Sequence, residues 1–255
     1  MNKCDHTFLS HFVYSNVRDN PYHHKLGEYS HFVYRDHDGE NFKGIWNRDA
    51  FNRNAPIHLD VGCGYGDFLI HSCQKNPHIN YIGLDYRFKR GHQVAKKLAS
   101  TSTTSSTSST SSTNYKFLRA KGERLGFLFA ENEVENIYLF FPDPWPKLRH
   151  HKKRIFNQYF LTSLHTILKP GGRLFFKTDH DGYFKWALEH VKWASDLAMF
   201  KPIYKSYDLW GDSYVSAYAD NTYEELTNFK TKFEKIFISQ ETKIKALVIE
   251  SLKLK

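Results

Sequence analysis

From Pro56 onward, short apolar runs alternate with segments in which apolar residues recur every three or four positions. The runs are PIHLDVG (56–62), INYIGLDY (79–86), NYKFLRA (114–120), NIYLFFP (136–142) and GRLFFKTD (172–179). Between and after them lie DFLIHSCQKN (67–76), FKRGHQVAKKLAS (88–100), ERLGFLFAEN (123–132), RIFNQYFLTSLHTIL (154–168) and GYFKWALEHVKWAS (182–195). The first set predicts strands and the second helices. The strands are continuously apolar rather than alternating, as expected when both faces of a sheet are covered. Strand–helix alternation predicts an α/β fold built of βαβ units around a mostly parallel sheet. The helix after Arg154 is predicted to place Ile155, Phe156, Tyr159, Phe160 and Leu164 on one side. Lys169-Pro170-Gly171-Gly172 is its stop signal.

Two stretches break the pattern. Residues 1–55 are polar, aromatic and rich in His and Asn, with weak periodicity. They predict an irregular N-terminal arm over 1–43, with at most one short helix, ahead of a single domain over 44–255. Ser100 to Thr113 is almost pure Ser and Thr. It has too little apolar surface to offset the entropy of ordering, and predicts a disordered insertion at 100–113 between the second helix and third strand.

Composition adds a bias in partner. Lys plus Arg exceeds Asp plus Glu, 36 against 27, and the net charge is +9. That favours an anionic partner such as nucleic acid or an acidic membrane face. The three cysteines, Cys4, Cys63 and Cys73, form no disulfide framework. The N-terminal residues carry no apolar core of signal-peptide length, and no apolar run is long enough to span a membrane. A cytoplasmic protein without a membrane partner is the expectation. The fifteen His show no metal-ligand spacing, so no metal is expected.

Candidate chemistry begins at LDVGCGYGDF, where a strand meets a helix. Gly62, Gly64 and Gly66 allow a sharp turn and close approach of a ligand. The third glycine of a dinucleotide fingerprint is replaced by Asp67, which disfavours a nicotinamide oxidoreductase. The pattern Asp60-x-Gly62-x-Gly64-x-Gly66 resembles the first motif of Rossmann-like methyltransferases, which bind S-adenosylmethionine. An acid at Asp60 suits the cationic end of that cofactor and would repel a pyrophosphate. Asp85 ends the next strand, placed for ribose hydroxyls. A ligand-free tight turn is the plainer alternative, made weaker by this second acid. Cys63, inside the loop, reads as a small packing residue.

The strand NIYLFF runs into Pro142-Asp143-Pro144-Trp145-Pro146, followed by Lys147, Arg149, His150, His151, Lys152, Lys153 and Arg154. Ligands of open parallel sheets bind beyond the C-terminal strand ends, so this turn is predicted to face the same crevice as the glycine loop. A base can stack on Trp145 while Asp143 accepts its N–H groups, and the cations can hold phosphates. A helix-entry turn with a solvated basic run is the alternative.

FPDPWPKLRHHKKR resembles the signature of bacterial tRNA (guanine-N7-)-methyltransferases. NPHINYIGLDYR, GGRLFFKTDHDGYF and LTNFKTKF are similar to three further segments of that family. The resemblance runs from about Gly44 onward, apart from the Ser/Thr insertion. It implies a Rossmann-like methyltransferase with a seven-stranded, mostly parallel sheet, an antiparallel C-terminal strand and helices on both faces. It implies methyl transfer from S-adenosyl-L-methionine to N7 of a variable-loop guanosine, position 46, in tRNA, by a monomer or homodimer. Asp60, Gly62, Gly64, Gly66, Asp85 and Lys121 would then bind the cofactor, with Asp143 at the reaction centre touching it. Lys147, Asp179, Thr227 and Lys230 would contact the tRNA. Arg149, His150, Lys152, Lys153 and Arg154 would form a backbone-binding surface. Two departures stand out: Lys121 replaces an Asn or Asp, and Lys230 replaces the Glu of a Thr-x-Tyr/Phe-Glu motif. They motivate an alternative, a tRNA-binding protein of the same fold with impaired catalysis.

Overall fold

The computed structural model describes residues 20–102, 113–211 and 222–254. Eight strands form one sheet: β1 (Val33–Arg35), β2 (Ile57–Val61), β3 (Asn80–Leu84), β4 (Tyr115–Arg119), β5 (Val134–Phe140), β6 (Leu168–Thr178), β7 (Phe200–Ser206) and β8 (Lys245–Ser251). Their spatial order is β1-β4-β3-β2-β5-β6-β8-β7. All pairs from β1 to β6 are parallel, and β8 runs antiparallel between β6 and β7. The expected antiparallel C-terminal strand is therefore present, but the described residues form eight strands rather than seven.

The eighth comes from the segment read as an irregular arm. Its described part forms helix α1 (Pro21–Gly27), then β1, then a 3-10 turn, Asp36–Phe42. Asn20 caps α1 by accepting from Tyr22 N, with Pro21 at the first helical position. Leu26, Phe32 and Val33 are buried. A three-residue strand is too short to show periodicity, so only burial reveals it. Residues 1–19 and 103–112 lie outside the described residues, and with them nearly all of the Ser/Thr tract.

Helices α2 (Asp67–Lys75), α3 (Phe88–Ser102), α5 (Gln158–Ile167) and α6 (Asp181–Asp196) follow the predicted segments. The segment 123–132 gives only a 3-10 turn and one turn of helix, α4 (Leu125–Leu128). Helix α5 starts four residues later than expected, because Asn157 caps it and accepts from Phe160 N at 3.0 Å. The Lys-Pro-Gly-Gly stop signal bulges out of β6: pairing jumps from Val134–Leu168 to Asn136–Arg173. Two short helices, α7 (Thr222–Thr227) and α8 (Lys232–Ser239), precede β8.

The strands bury side chains on both faces. Leu59, Val61, Ile137, Leu139, Leu174 and Phe176 face one core. Tyr81, Phe117, Tyr138, Phe175 and Val248 face the other, where Phe68 and Leu69 of α2 pack. Covered on both sides, the strands leave only their ends for chemistry.

Candidate active site

The C-terminal ends of β2, β3 and β5 open onto one cleft of about 330 Å³. Gly62 comes from β2, Asp85 and Tyr86 from β3, Lys121 from β4, and Pro142, Asp143 and Trp145 from β5. Lys153 and Ile155 close a side. Asp143 therefore faces the same space as the glycine loop, as the sequence predicted. A smaller chamber of about 80 Å³ adjoins it, sharing Gly62 and lined by Asp60, Gly64, Phe140, Phe141, Thr231, Lys232 and Phe233.

The loop is shaped by left-handed backbone at Gly62 (φ 75°), Gly64 (φ 57°) and Gly66 (φ 73°). Gly62 and Cys63 N–H groups both donate to Leu84 O, tying the loop to the end of β3. Gly66 lines neither cavity and serves instead as the cap of α2, where a Cβ would stand 2.9 Å from Val94 Cγ1.

Two carboxyls meet here. Asp60 is only 4% exposed, and its Oδ2 has no hydrogen-bond partner among the described residues. Burial, aided by the nearby Asp85, pushes its pKa up to about 8. Asp85 accepts from Arg87 N at 2.8 Å and lies 3.6 Å from Arg90. Burial raises its pKa too, against the pull of the Arg87 N–H and the Arg90 guanidinium. An orphaned acid beside a second acid is the arrangement a cationic ligand completes. Burial also drives the Cys63 thiol well above its usual range, consistent with a packing role.

Asp143 is the exposed member of the site, its carboxylate 68% accessible and 3.8 Å from Arg87. Trp145 holds a positive φ of 43°, between two prolines. Lys153 Nζ lies 4.7 Å from its ring centre, and His150 meets it edge-on at 5.8 Å. Lys121 projects over Tyr86, 5.0 Å from the ring centre.

Lys147 and the exposed 3-10 turn Leu148–Lys153 carry Arg149, His150 and Lys152 beside the cleft. Arg154 departs from this group. It is 2% exposed, its Nε donates to Pro144 O at 2.8 Å, and its guanidinium lies over Tyr183 and Trp186. The expectation of a phosphate contact there is corrected: Arg154 braces the Pro-Asp-Pro-Trp turn from within.

The C-terminal motif also needs correction. Thr227 uses its hydroxyl on Tyr223 O, Lys230 lies over Trp210 at 3.9 Å, and neither lines the cleft or the adjoining chamber. Asp179 follows the end of β6, where its carbonyl accepts from Lys245, and lines neither cavity. The residues that face the chamber are Thr231, Lys232 and Phe233, followed by Glu234. They spell Thr-x-Phe-Glu without departure, four residues beyond the position first assigned. The fourth residue, Glu234, sets the register, since the preceding Thr227-Asn228-Phe229 mimics the first three. Tyr86, Arg87 and Glu123 are further cleft-side residues that sequence reasoning passed over.

Among solved structures, the 16S rRNA methyltransferase KamB superposes over 80% of this chain and 91% of its own, with TM-score 0.55 and 17% identity. What the two share is the fold, that of the Rossmann-like methyltransferases. Residues 54–247 match a family model described as putative methyltransferase. The chain is 35% identical over 194 residues to the tRNA (guanine-N(7)-)-methyltransferase of Enterococcus faecalis, covering 76% of this chain and 81% of that protein. It is 36% identical over 186 residues to the protein of the same name from Mesoplasma florum, covering 72% and 78%. The bifunctional glycosyltransferase/methyltransferase of Fusobacterium nucleatum is 34% identical over 91% of this chain, which spans only 33% of that larger protein. The chain belongs to the tRNA (guanine-N7-)-methyltransferase family.

Proposed function

We propose that the chain transfers a methyl group from S-adenosyl-L-methionine to N7 of a guanosine, position 46 in the variable loop, of tRNA. The observation that carries this reading is the cleft that Gly62, Asp85 and Asp143 share. When bound, the cofactor supplies an electrophilic methyl group on a sulfonium. Asp60, with its unpartnered Oδ2, fits the cationic end, and Asp85 fits hydroxyl donors. Gly62 and Gly64 bring backbone close to the ligand, and Lys121 sits in the cleft as a donor where relatives of the resembled pattern offer an acceptor.

Guanine N7 carries a free lone pair, so no base is needed to remove a proton before attack. The residues then work by positioning and electrostatics. Methylation puts positive charge on the purine, which the Asp143 carboxylate favours while it accepts the base's N–H groups. Trp145 offers a stacking face, from which Lys153 must withdraw when a base arrives. Lys147, Arg149, His150 and Lys152 face outward to hold phosphates. Asp179 and Thr231 complete the tRNA side. On this reading the enzyme acts in the cytoplasm on folded tRNA, as a monomer or homodimer and without a metal.

The competing reading, a tRNA-binding protein with impaired catalysis, rested on Lys121 and Lys230. The register at Thr231–Glu234 removes the second. Incubation with labelled cofactor and bulk tRNA, followed by mapping, tests the choice. Label at N7 of the variable-loop guanosine is expected; tRNA binding without incorporation would overturn the enzyme.

A further inference from the structure

Behind the cleft, one ammonium joins segments that methyl transfer needs in register. Lys177, on β6, and Glu234, in the first turn of α8, are both fully buried. Lys177 Nζ donates to Glu234 Oε2 at 2.8 Å and to Leu226 O at 3.0 Å. Glu234 Oε1 accepts from Trp210 Nε1 at 3.0 Å, and Oε2 also accepts from Thr231 N at 3.3 Å. Glu234 N returns a bond to Thr231 Oγ1 at 3.1 Å, completing a capping box.

Both ends of the stretch 227–233 are thus tied to one point: Leu226 just before it, Glu234 just after. That stretch carries the chamber wall formed by Thr231, Lys232 and Phe233, opposite Asp60 and the glycine loop. On its other side Lys177 pairs in register with Phe140, three residues before Asp143, and its ammonium lies 4.2 Å from the Phe140 ring centre. Phe141 N donates to Lys177 O at 2.8 Å.

Removing two charges from water is costly, and an apolar pair of similar size often holds a core equally well. What an apolar pair does not supply is direction. We propose that Lys177 and Glu234 are positioning residues that set the 227–233 wall against the strand end carrying Asp143, and so fix the tRNA side of the site relative to the reaction centre. This deepens the methyl-transfer reading and rests on it.

The test is a Lys177→Met/Glu234→Leu double variant of the full chain. It keeps volume and deletes the directed bonds. Expected are cooperative unfolding at or above the unaltered protein's temperature and a fall in kcat/KM for tRNA of about tenfold or more, with kcat reduced as well as KM raised. Cofactor affinity by calorimetry is expected to fall less than kcat/KM for tRNA, since the wall meets Asp60 only in the smaller chamber and holds no residue of the larger cleft. A folded double variant with unaltered kcat/KM overturns the proposal. Should it fail to fold, Glu234→Gln replaces it: a fall of about threefold or more in kcat/KM supports the proposal, and no fall overturns it. Were the unaltered chain itself inactive, the methylation reading would fall, and the same comparison is read in tRNA affinity.

Discussion

Asp60 couples burial to pH. Its folded-state pKa of about 8 lies above the ordinary 3.8, so between those values the folded chain holds a proton that the unfolded chain has released. Asp60's contribution is thus complete below about pH 4 and is lost as pH rises through about 8. Asp60→Asn is expected to flatten the decline of melting temperature across that window, as read by calorimetric scans of the ligand-free protein. In the unaltered protein a bound cation draws the carboxylate form, so cofactor binding near pH 7 should release a proton, visible as a buffer-dependent heat. Asp143 differs because it is exposed and acts on the reacting base. Asp143→Ala is expected to retain tRNA and cofactor binding and to lose turnover by about a hundredfold or more; full turnover would remove it from the reaction. Which side chains face inward was only partly legible. The acids at strand ends could be placed because a parallel sheet leaves only its ends open. Arg154 could not, since nothing in a run of cations says which one turns inward onto a carbonyl and two aromatic rings. Arg154→Ala should cost about 2 kcal/mol in denaturant unfolding, a buried charge-assisted bond being lost, and leave the salt dependence of tRNA binding alone.

At the scale of elements, the glycine loop and its helix act together. Gly66→Ala forces a side chain into left-handed backbone and against Val94. A loss of about 2 kcal/mol in unfolding free energy is expected, one part from the conformation and one from overpacking, with weaker cofactor binding in calorimetry. The five parallel strands from β2 to β6 were legible because each is an apolar run bounded by turn chemistry. The short β1 was not, since three residues carry no period, and α4 is a single turn, entered from a 3-10 turn and ended by extended backbone at Phe129. The C-terminal motif was misread for a local reason. Thr227-Asn228-Phe229 and Thr231-Lys232-Phe233 look alike, and only the buried Glu234 shows which copy is anchored to β6.

For the whole molecule, the excess of positive charge and the exposed turn after Trp145 predict long-range attraction for tRNA. Replacing Lys147, Arg149 and Lys152 together by Gln should weaken all tRNAs similarly and reduce the log–log salt slope of binding by about two to three. An unchanged slope would count against this surface. No described helix is long and apolar enough to cross a membrane. The sheet order has a further consequence. Strand β8 lies between β6 and β7 although it follows both in the chain, bonding to Arg173–Thr178 on one side and Phe200–Ser206 on the other. While a ribosome is still making the protein, that edge has a gap that only the late strand fills. Among the described strands β7 has no other neighbour to pair with, so that edge of the sheet stays unfinished until Lys245–Ser251 emerges and slots in as its keystone.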